Sequence, residues 1–186
     1  EATLAADALA AAVANVGVQS LSGASLVTML NTELLSAKKD KVAREAGVLV
    51  VLALVAKLGM PCVGAMMEIV PVVLALTGDK KGPAVRAAAS LATLAIFDLL
   101  PVEAVPVYIQ QVILAKKTGG LAPLARPETK ITSLQLLGKA ATKAPREIEA
   151  MMVTLVPVVS KAMWDVKKKV KEQAEETLTD ICGSID

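Results

Sequence analysis

The sequence predicts an all-α fold built from stacked helical hairpins. Hydrophobic residues make up 54% of the 186 residues and aromatic residues only 2%, which favours helices packed through small and aliphatic side chains over strands. The second observation is an internal echo: the stretch from Met66 to Arg86 (MMEIVPVVLALTGDKKGPAVR) is repeated from Met151 to Lys171 (MMVTLVPVVSKAMWDVKKKVK). Both run from a Met-Met pair through Val-Pro-Val-Val to an aspartate and a basic run, which indicates one packing unit used more than once.

The spacing of this echo predicts a HEAT-repeat α-solenoid. Asp79 and Asp165 are 86 residues apart, which is twice a unit of about 40 to 47 residues. Taking Val85 as the anchor, equivalent positions fall at Val42, Val85, Thr129 and Val170. A small side chain, as close helix packing requires, follows four residues later at Ala46, Ala89, Ser133 and Ala174. The residue directly after the anchor is basic in three of the four copies.

Breaks in the apolar pattern place the helices in order along the chain. The breaks are Gly17 to Gly23, Lys38 to Asp40, Gly59 to Pro61, Gly78 to Pro83, Leu100 to Val102, Gly119 to Pro127 and Ala144 to Pro145. An alanine-rich stretch predicts a cap helix at about 4–15, which should shield the apolar face of the first hairpin. Helices are then expected at about 21–36, 40–58, 62–77, 83–98, 102–117, 128–143, 147–163 and 167–183.

These helices pair as four hairpins in one domain, 1–186. The cap lies in 1–20, and the repeats span roughly 21–60, 61–100, 101–146 and 147–186. Pro71 and Pro157 fall at matching places in their helices and should bend both, because proline lacks an N–H and clashes with the preceding turn.

The most apolar run, Gly59 to Gly78, is predicted to be a buried solenoid helix and not a membrane span. It has a single charge, Glu68, but Pro61, Gly64 and Pro71 interrupt it. Its aligned copy carries two charges, and a basic cluster follows each copy, as expected for a helix in a protein core. We therefore expect no membrane partner.

The residue types exclude most catalytic chemistry. The chain has no histidine, which excludes serine–histidine and cysteine–histidine nucleophiles and histidine-based zinc sites. No GxxxxGK[ST] loop is present, so this segment is expected to hold no metal or cofactor and to have no catalytic residue. Cys62 and Cys182 lie far apart and no secretory signal is visible. We expect two reduced core thiols in a cytoplasmic protein.

The formal net charge of +2 hides a strong segregation of charge. Four segments, here called the basic turns, connect the two helices of each hairpin at 36–44, 77–86, 115–130 and 160–171. They hold 16 basic and four acidic residues, a local charge of +12, whereas the rest of the chain holds four basic and 14 acidic residues. Because equivalent turns of a solenoid stack side by side, the basic turns are expected to form one basic edge.

Clustered lysines of this kind are typical of contacts with a phosphate backbone. The alternative is ordinary solubility of the turns, with cations favoured beside helix C-termini. The candidate RNA- and ribosome-binding residues are Lys38, Lys39, Lys41, Arg44, Lys80, Lys81, Arg86, Lys116, Lys117, Arg126, Lys130, Lys167, Lys168, Lys169 and Lys171.

Base-specific recognition is not expected, because only Phe97, Tyr108 and Trp164 offer stacking surfaces. Trp164 is predicted to pack at the end of its helix against the neighbouring turn. Any RNA contact would then depend on the backbone and its shape.

The segment Ser160 to Lys171 (SKAMWDVKKKVK), with the preceding LVPVV, closely resembles the HEAT region near the N-terminus of fungal-type translation elongation factor three. The resemblance extends over most of residues 36–186. The chain departs from the family pattern at Pro127, where a tryptophan is usual, and in the longer connection that contains Gly119 to Pro123.

The resemblance implies a monomeric docking module of a larger cytoplasmic factor. In that family the HEAT region contacts ribosomal RNA and proteins of the small subunit, while ATP binds only in two cassettes further along the chain. The other reading is a protein-interaction scaffold that grips acidic partners without RNA contact, as some ribosome-associated kinase activators with related repeats do.

Overall fold

The computed structural model describes residues 2–23, 26–37 and 40–184. The predicted Lys38 and Lys39 lie outside these residues. The all-α prediction is confirmed, and the helices follow the predicted order. They form two compact units, Glu1–Leu100 and Pro101–Asp186.

The first unit begins with α1 (Ala2–Val16) and continues through two hairpins. Its further elements are α2 (Gln19–Gly23), α3 (Leu26–Met29) with a π-helical extension (Leu30–Leu35), α4 (Lys41–Leu58), a 3₁₀ turn (Met60–Cys62), α5 (Val63–Met66), α6 (Val70–Leu76) and α7 (Pro83–Leu99). Gly17 and Gly59 end α1 and α4 with positive φ angles of 103° and 61°, a conformation that glycine adopts without a steric penalty.

Helix α4 is the centre of the first unit. It packs against α1 on one side, α7 on the other and the π-helical extension of α3, and this is why its sequence is apolar around most of its circumference. Gly47 lets the π-helical extension approach closely, because a Cβ there would lie 2.8 Å from Leu34 Cβ. Helix α1 packs on α4 in the same way that α4 packs on α7. It therefore occupies the position that the second helix of a preceding hairpin would have.

The second unit contains the other two hairpins. Its elements are a 3₁₀ turn (Val102–Ala104), α8 (Val105–Tyr108) with a π-helical extension (Ile109–Ile113), α9 (Pro127–Lys143), α10 (Pro145–Ala162) and α11 (Lys168–Gly183). Helix α11 packs closely on α9, and a Cβ at Gly138 would lie 2.6 Å from Asp180 Oδ2. The buried Thr177 hydroxyl donates to the Leu134 carbonyl oxygen at 2.9 Å, which joins the two hairpins.

The two matching prolines lie at different places in their helices. Pro71 lies in the first turn of α6, where its missing N–H needs no partner, and the turn Met67–Ile69 separates this helix from α5. Pro157 lies inside the continuous helix α10. In the described part of the chain, no helix is both long enough and apolar enough to cross a membrane.

The repeat register of the first hairpin differs from the prediction by one residue. Val42 is 63% exposed, whereas Val85 and Val170 are fully buried. Aligning Ala43 with those valines places the buried Gly47, not Ala46, at the close-packing position. It also places Arg44 after the anchor, so all four second helices carry a basic residue there: Arg44, Arg86, Lys130 and Lys171.

Candidate functional site

The basic turn 77–86 of the first unit is organised by Asp79. Its Oδ1 accepts hydrogen bonds from the backbone amides of Lys81 (2.9 Å) and Gly82 (2.8 Å). Its Oδ2 lies 2.7 Å from Nε of Arg44, which is 35 residues earlier, in the basic turn of the preceding hairpin. Arg86 donates to the Asp79 carbonyl oxygen at 2.8 Å. One aspartate therefore shapes its own turn and ties it to the turn before.

The second unit repeats this arrangement with a lysine. Asp165 Oδ1 accepts from the backbone amide of Lys167 at 2.9 Å, and its Oδ2 lies 2.7 Å from Nζ of Lys130, again 35 residues earlier. In the first hairpin Asp40 plays the local part and caps α4 by accepting from the amides of Val42 and Ala43. The aspartates thus hold the backbone from which the lysines extend.

Both linking aspartates have a pKa below the ordinary aspartate value. Burial alone would raise the pKa of Asp79, but the amides of Lys81 and Gly82 and the Arg44 side chain outweigh it. The hydrogen bond from Lys130 is the largest cause of the lowered pKa of Asp165, followed by the amide of Lys167. Both carboxylates are therefore charged at neutral pH.

The predicted site residues divide by exposure. Arg44 is only 7% exposed, and its guanidinium donates to Asp79 and to the carbonyl oxygen of Ala37. A buried and paired side chain does not present its charge to a ligand, so we remove Arg44 from the candidate surface. Arg86, Lys130 and Lys171 are half-buried. The exposed residues are Lys41, Lys80, Lys81, Lys116, Lys117, Arg126, Lys167, Lys168 and Lys169.

The long connection between α8 and α9 is an ordered loop that presents Lys116 and Lys117. It closes on the end of the π-helical extension through hydrogen bonds from the Gly120 amide to the Val112 carbonyl (3.0 Å) and from the Leu121 amide to the Ile113 carbonyl (3.1 Å). Gly119 is required at the closure, because a Cβ there would lie 2.5 Å from two backbone oxygens. The glycines that lengthen this connection therefore allow it to fold back.

Trp164 does not pack against the neighbouring turn, and that prediction is wrong. Its side chain is 86% exposed, and Val166 is 93% exposed. It lies beside a groove of about 660 Å³ between the α8–α9 connection and the end of α10, lined by Leu121, Pro123, Pro157, Val158, Ala162 and the Lys130–Asp165 pair. Sequence reasoning missed this groove because α10 ends at Ala162 and helical periodicity no longer applies at Trp164.

The other chemically reactive side chains are separate from this surface. Cys62 is buried, and burial raises the pKa of its thiol. Cys182 is exposed, so the prediction that it lies in the core is wrong. Within the described ranges, no group of three or more cysteine, aspartate and glutamate side chains could hold a metal ion.

Three features define an α-helical repeat protein of the HEAT class: the paired helices, the aspartate-centred turns and a repeat period of 41 to 44 residues. The period is the spacing between the basic residues Arg44, Arg86, Lys130 and Lys171. The model of the EF3 N-terminal HEAT repeat family matches residues 2–178. The chain belongs to this family, which confirms the resemblance seen in the sequence.

Relatives with two different names share this module. Elongation factor 3 of Pneumocystis carinii is 29% identical over 147 residues, which cover 79% of this chain and 14% of that protein. Elongation factor 3 of Candida albicans is 34% identical over 121 residues, 65% of this chain and 11% of that protein. The mRNA export factor elf1 of Schizosaccharomyces pombe is 27% identical over 149 residues, which cover 80% of this chain and 14% of that protein. The chain thus spans less than a sixth of each.

Proposed function

We propose that this chain is the docking module of a larger, cytoplasmic translation factor of the elongation factor 3 type, and that it binds ribosomal RNA and protein through its basic turns. The observation that carries the proposal is the set of exposed cations in these turns, ten in the described residues, against one aspartate or glutamate in each turn. In this proposal the segment has no catalytic role, and ATP binds elsewhere in the parent protein.

The chemistry of the turns supports contact with phosphates. Lysine ammonium groups are point charges that release condensed counterions when they neutralise phosphates, so affinity from such contacts falls steeply with salt. Asp165 strengthens the argument, because its bond to the Lys167 amide fixes the start of the run Lys167–Lys169. A fixed backbone lowers the entropy lost when these side chains engage a partner.

The test is co-sedimentation of the chain with ribosomes over a series of salt concentrations. Replacing Lys167, Lys168 and Lys169 together with glutamate should weaken binding and reduce the slope of log affinity against log salt, by up to about 0.7–0.9 for each phosphate that is no longer neutralised. The three side chains are exposed, so the variant should fold.

The matched control reverses three exposed cations outside the basic turns: Lys57, Lys139 and Arg146. It changes the net charge by the same amount and should leave binding almost unchanged. Equal losses in the two variants would show that only net charge matters, and unchanged binding of the Lys167–Lys169 variant would refute the proposal.

A second candidate is a scaffold that binds an acidic protein without RNA contact, because the exposed cations of the basic turns would suit carboxylates as well as phosphates. Protein-free ribosomal RNA separates the two. Retention on this RNA supports the docking module, while retention on ribosomes but not on the RNA supports the scaffold.

A further inference from the structure

Trp164 is the one exposed aromatic residue of the chain. Phe97 and Tyr108, the other two aromatics, are fully buried, whereas 86% of Trp164 is open to solvent. Backbone hydrogen bonds hold its turn in place: the Trp164 amide donates to the Lys161 carbonyl at 3.2 Å and the Asp165 amide to the Ala162 carbonyl at 3.0 Å. A large apolar ring on this turn contributes little to the core, because its exposed surface is not removed from water.

The residues around this ring are cationic. Lys161 lies three positions before it and Lys167 three positions after it, and both are exposed, as are Lys168 and Lys169. The negative charge of Asp165 does not cancel the charge that these lysines present to a ligand. One of its oxygens is paired with Lys130, and the other accepts from the Lys167 amide. An anionic partner that also offers a flat apolar group would complement this surface.

We propose that Trp164 stacks on an unpaired base of RNA while Lys167, Lys168 and Lys169 neutralise the adjoining phosphates. Exposed aromatic rings beside lysines are the usual contact for single-stranded nucleic acid, because every base has a face that can stack. Paired bases do not fit, since their faces are covered by their neighbours in the helix. The inference rests on the proposed RNA binding, to which it adds the kind of RNA that is bound.

The groove beside Trp164 can accommodate a base stacked on the indole ring. Its volume of about 660 Å³ and its apolar lining, which includes Leu121, Pro123 and Pro157, allow a base on the indole to cover further apolar surface. The bound element is therefore a loop, a bulge or a single-stranded end and not a continuous duplex.

The single tryptophan makes the test specific, because all indole fluorescence comes from Trp164. Titration with a short oligoadenylate should quench this fluorescence, since stacking on a base quenches indole emission. Heparin, a polyanion without bases, and an RNA duplex of the same length should bind through the lysines with little quenching. The Trp164→Ala variant should bind oligoadenylate about tenfold more weakly and heparin unchanged, and Trp164→Phe should recover part of the loss.

Failure of this inference is distinguishable from failure of the docking proposal. Oligoadenylate that binds without quenching, or quenching of equal size by heparin or duplex, would overturn base stacking while leaving the basic turns as an RNA surface. Equal oligoadenylate affinity of Trp164→Ala and the parent would also overturn it. A blue shift with an acidic peptide and no response to oligoadenylate would assign the groove to a protein partner and overturn the inference.

Discussion

The two aspartate links between turns should differ in strength, although they have the same spacing. In the first unit Arg44 and Asp79 are each 8% exposed at the side chain, whereas in the second Lys130 and Asp165 are 19% and 15% exposed. Arginine cannot lose its proton in a protein. The Asp79→Asn substitution therefore leaves a buried guanidinium charge with no carboxylate partner.

The size of the effect follows from this burial. Removing one partner of a buried ion pair costs about 3–5 kcal/mol, so Asp79→Asn should lower the free energy of unfolding of the first unit by that amount. The asparagine oxygen can still accept from the Lys81 and Gly82 amides, so the loss is concentrated in the charge pair. Asp165→Asn should cost only about 1 kcal/mol, because this pair is more exposed and the flexible side chain of Lys130 can move its ammonium group into water.

The measurement is hydrogen exchange at increasing urea concentration, followed by mass spectrometry on peptides from α4 and α9. Each peptide reports the opening free energy of its own unit. The matched cycle adds Arg44→Met and the double variant Arg44→Met with Asp79→Asn. The double variant should be more stable than the sum of the single losses predicts, because it leaves no unpaired buried charge.

Two results would refute this reasoning. One is additivity of the two substitutions within about 0.5 kcal/mol, which would show that Arg44 and Asp79 do not interact. The other is an equal or larger loss for Asp165→Asn, which would show that burial does not set the strength of the link.

Three further predictions follow from the described contacts. Gly119→Ala should weaken the closure of the α8–α9 connection by about 1–3 kcal/mol, seen as faster amide exchange at Gly120 and Leu121; unchanged exchange would contradict the close approach at 2.5 Å. Because the pKa values of Asp79 and Asp165 are lowered in the folded chain, the stability they provide is present above about pH 4. It should be lost as the pH falls through the lowered values, and the double variant Asp79→Asn with Asp165→Asn should show a flatter acid limb in urea titrations. N-ethylmaleimide should modify Cys182 at neutral pH and spare the buried Cys62; labelling of a Cys182→Ser variant without denaturant would contradict this burial.

Periodicity was sufficient to predict the second helix of each hairpin, but not the breaks within the first helices or the orientation of side chains in the turns. The apolar pattern repeats because each hairpin buries the same faces, so α4, α7, α9 and α11 begin within one residue of their predicted positions. The turns differ in length: Arg44 follows its aspartate by four residues and Arg86 by seven. Counting from the valines therefore misplaced the first hairpin by one residue.

The candidate surface was predictable in composition and not in detail. Charge counts located the lysines, because solvated cations concentrate where helices end. They could not separate Arg44, whose charge is used inside the fold, from the exposed Lys80 and Lys81. Nor could they show that Trp164 points outward, since this depends on the backbone of a turn with no helical period.

The aspartate link also has an evolutionary consequence. Because a basic residue and the aspartate 35 positions later form one contact in both units, substitution of either residue alone would be selected against, while loss of both together would be tolerated. Related chains should therefore vary at these two positions in concert. In a hairpin that has lost both residues, the turn is no longer tied to the turn of the neighbouring hairpin, and its sequence can change without breaking an ion pair.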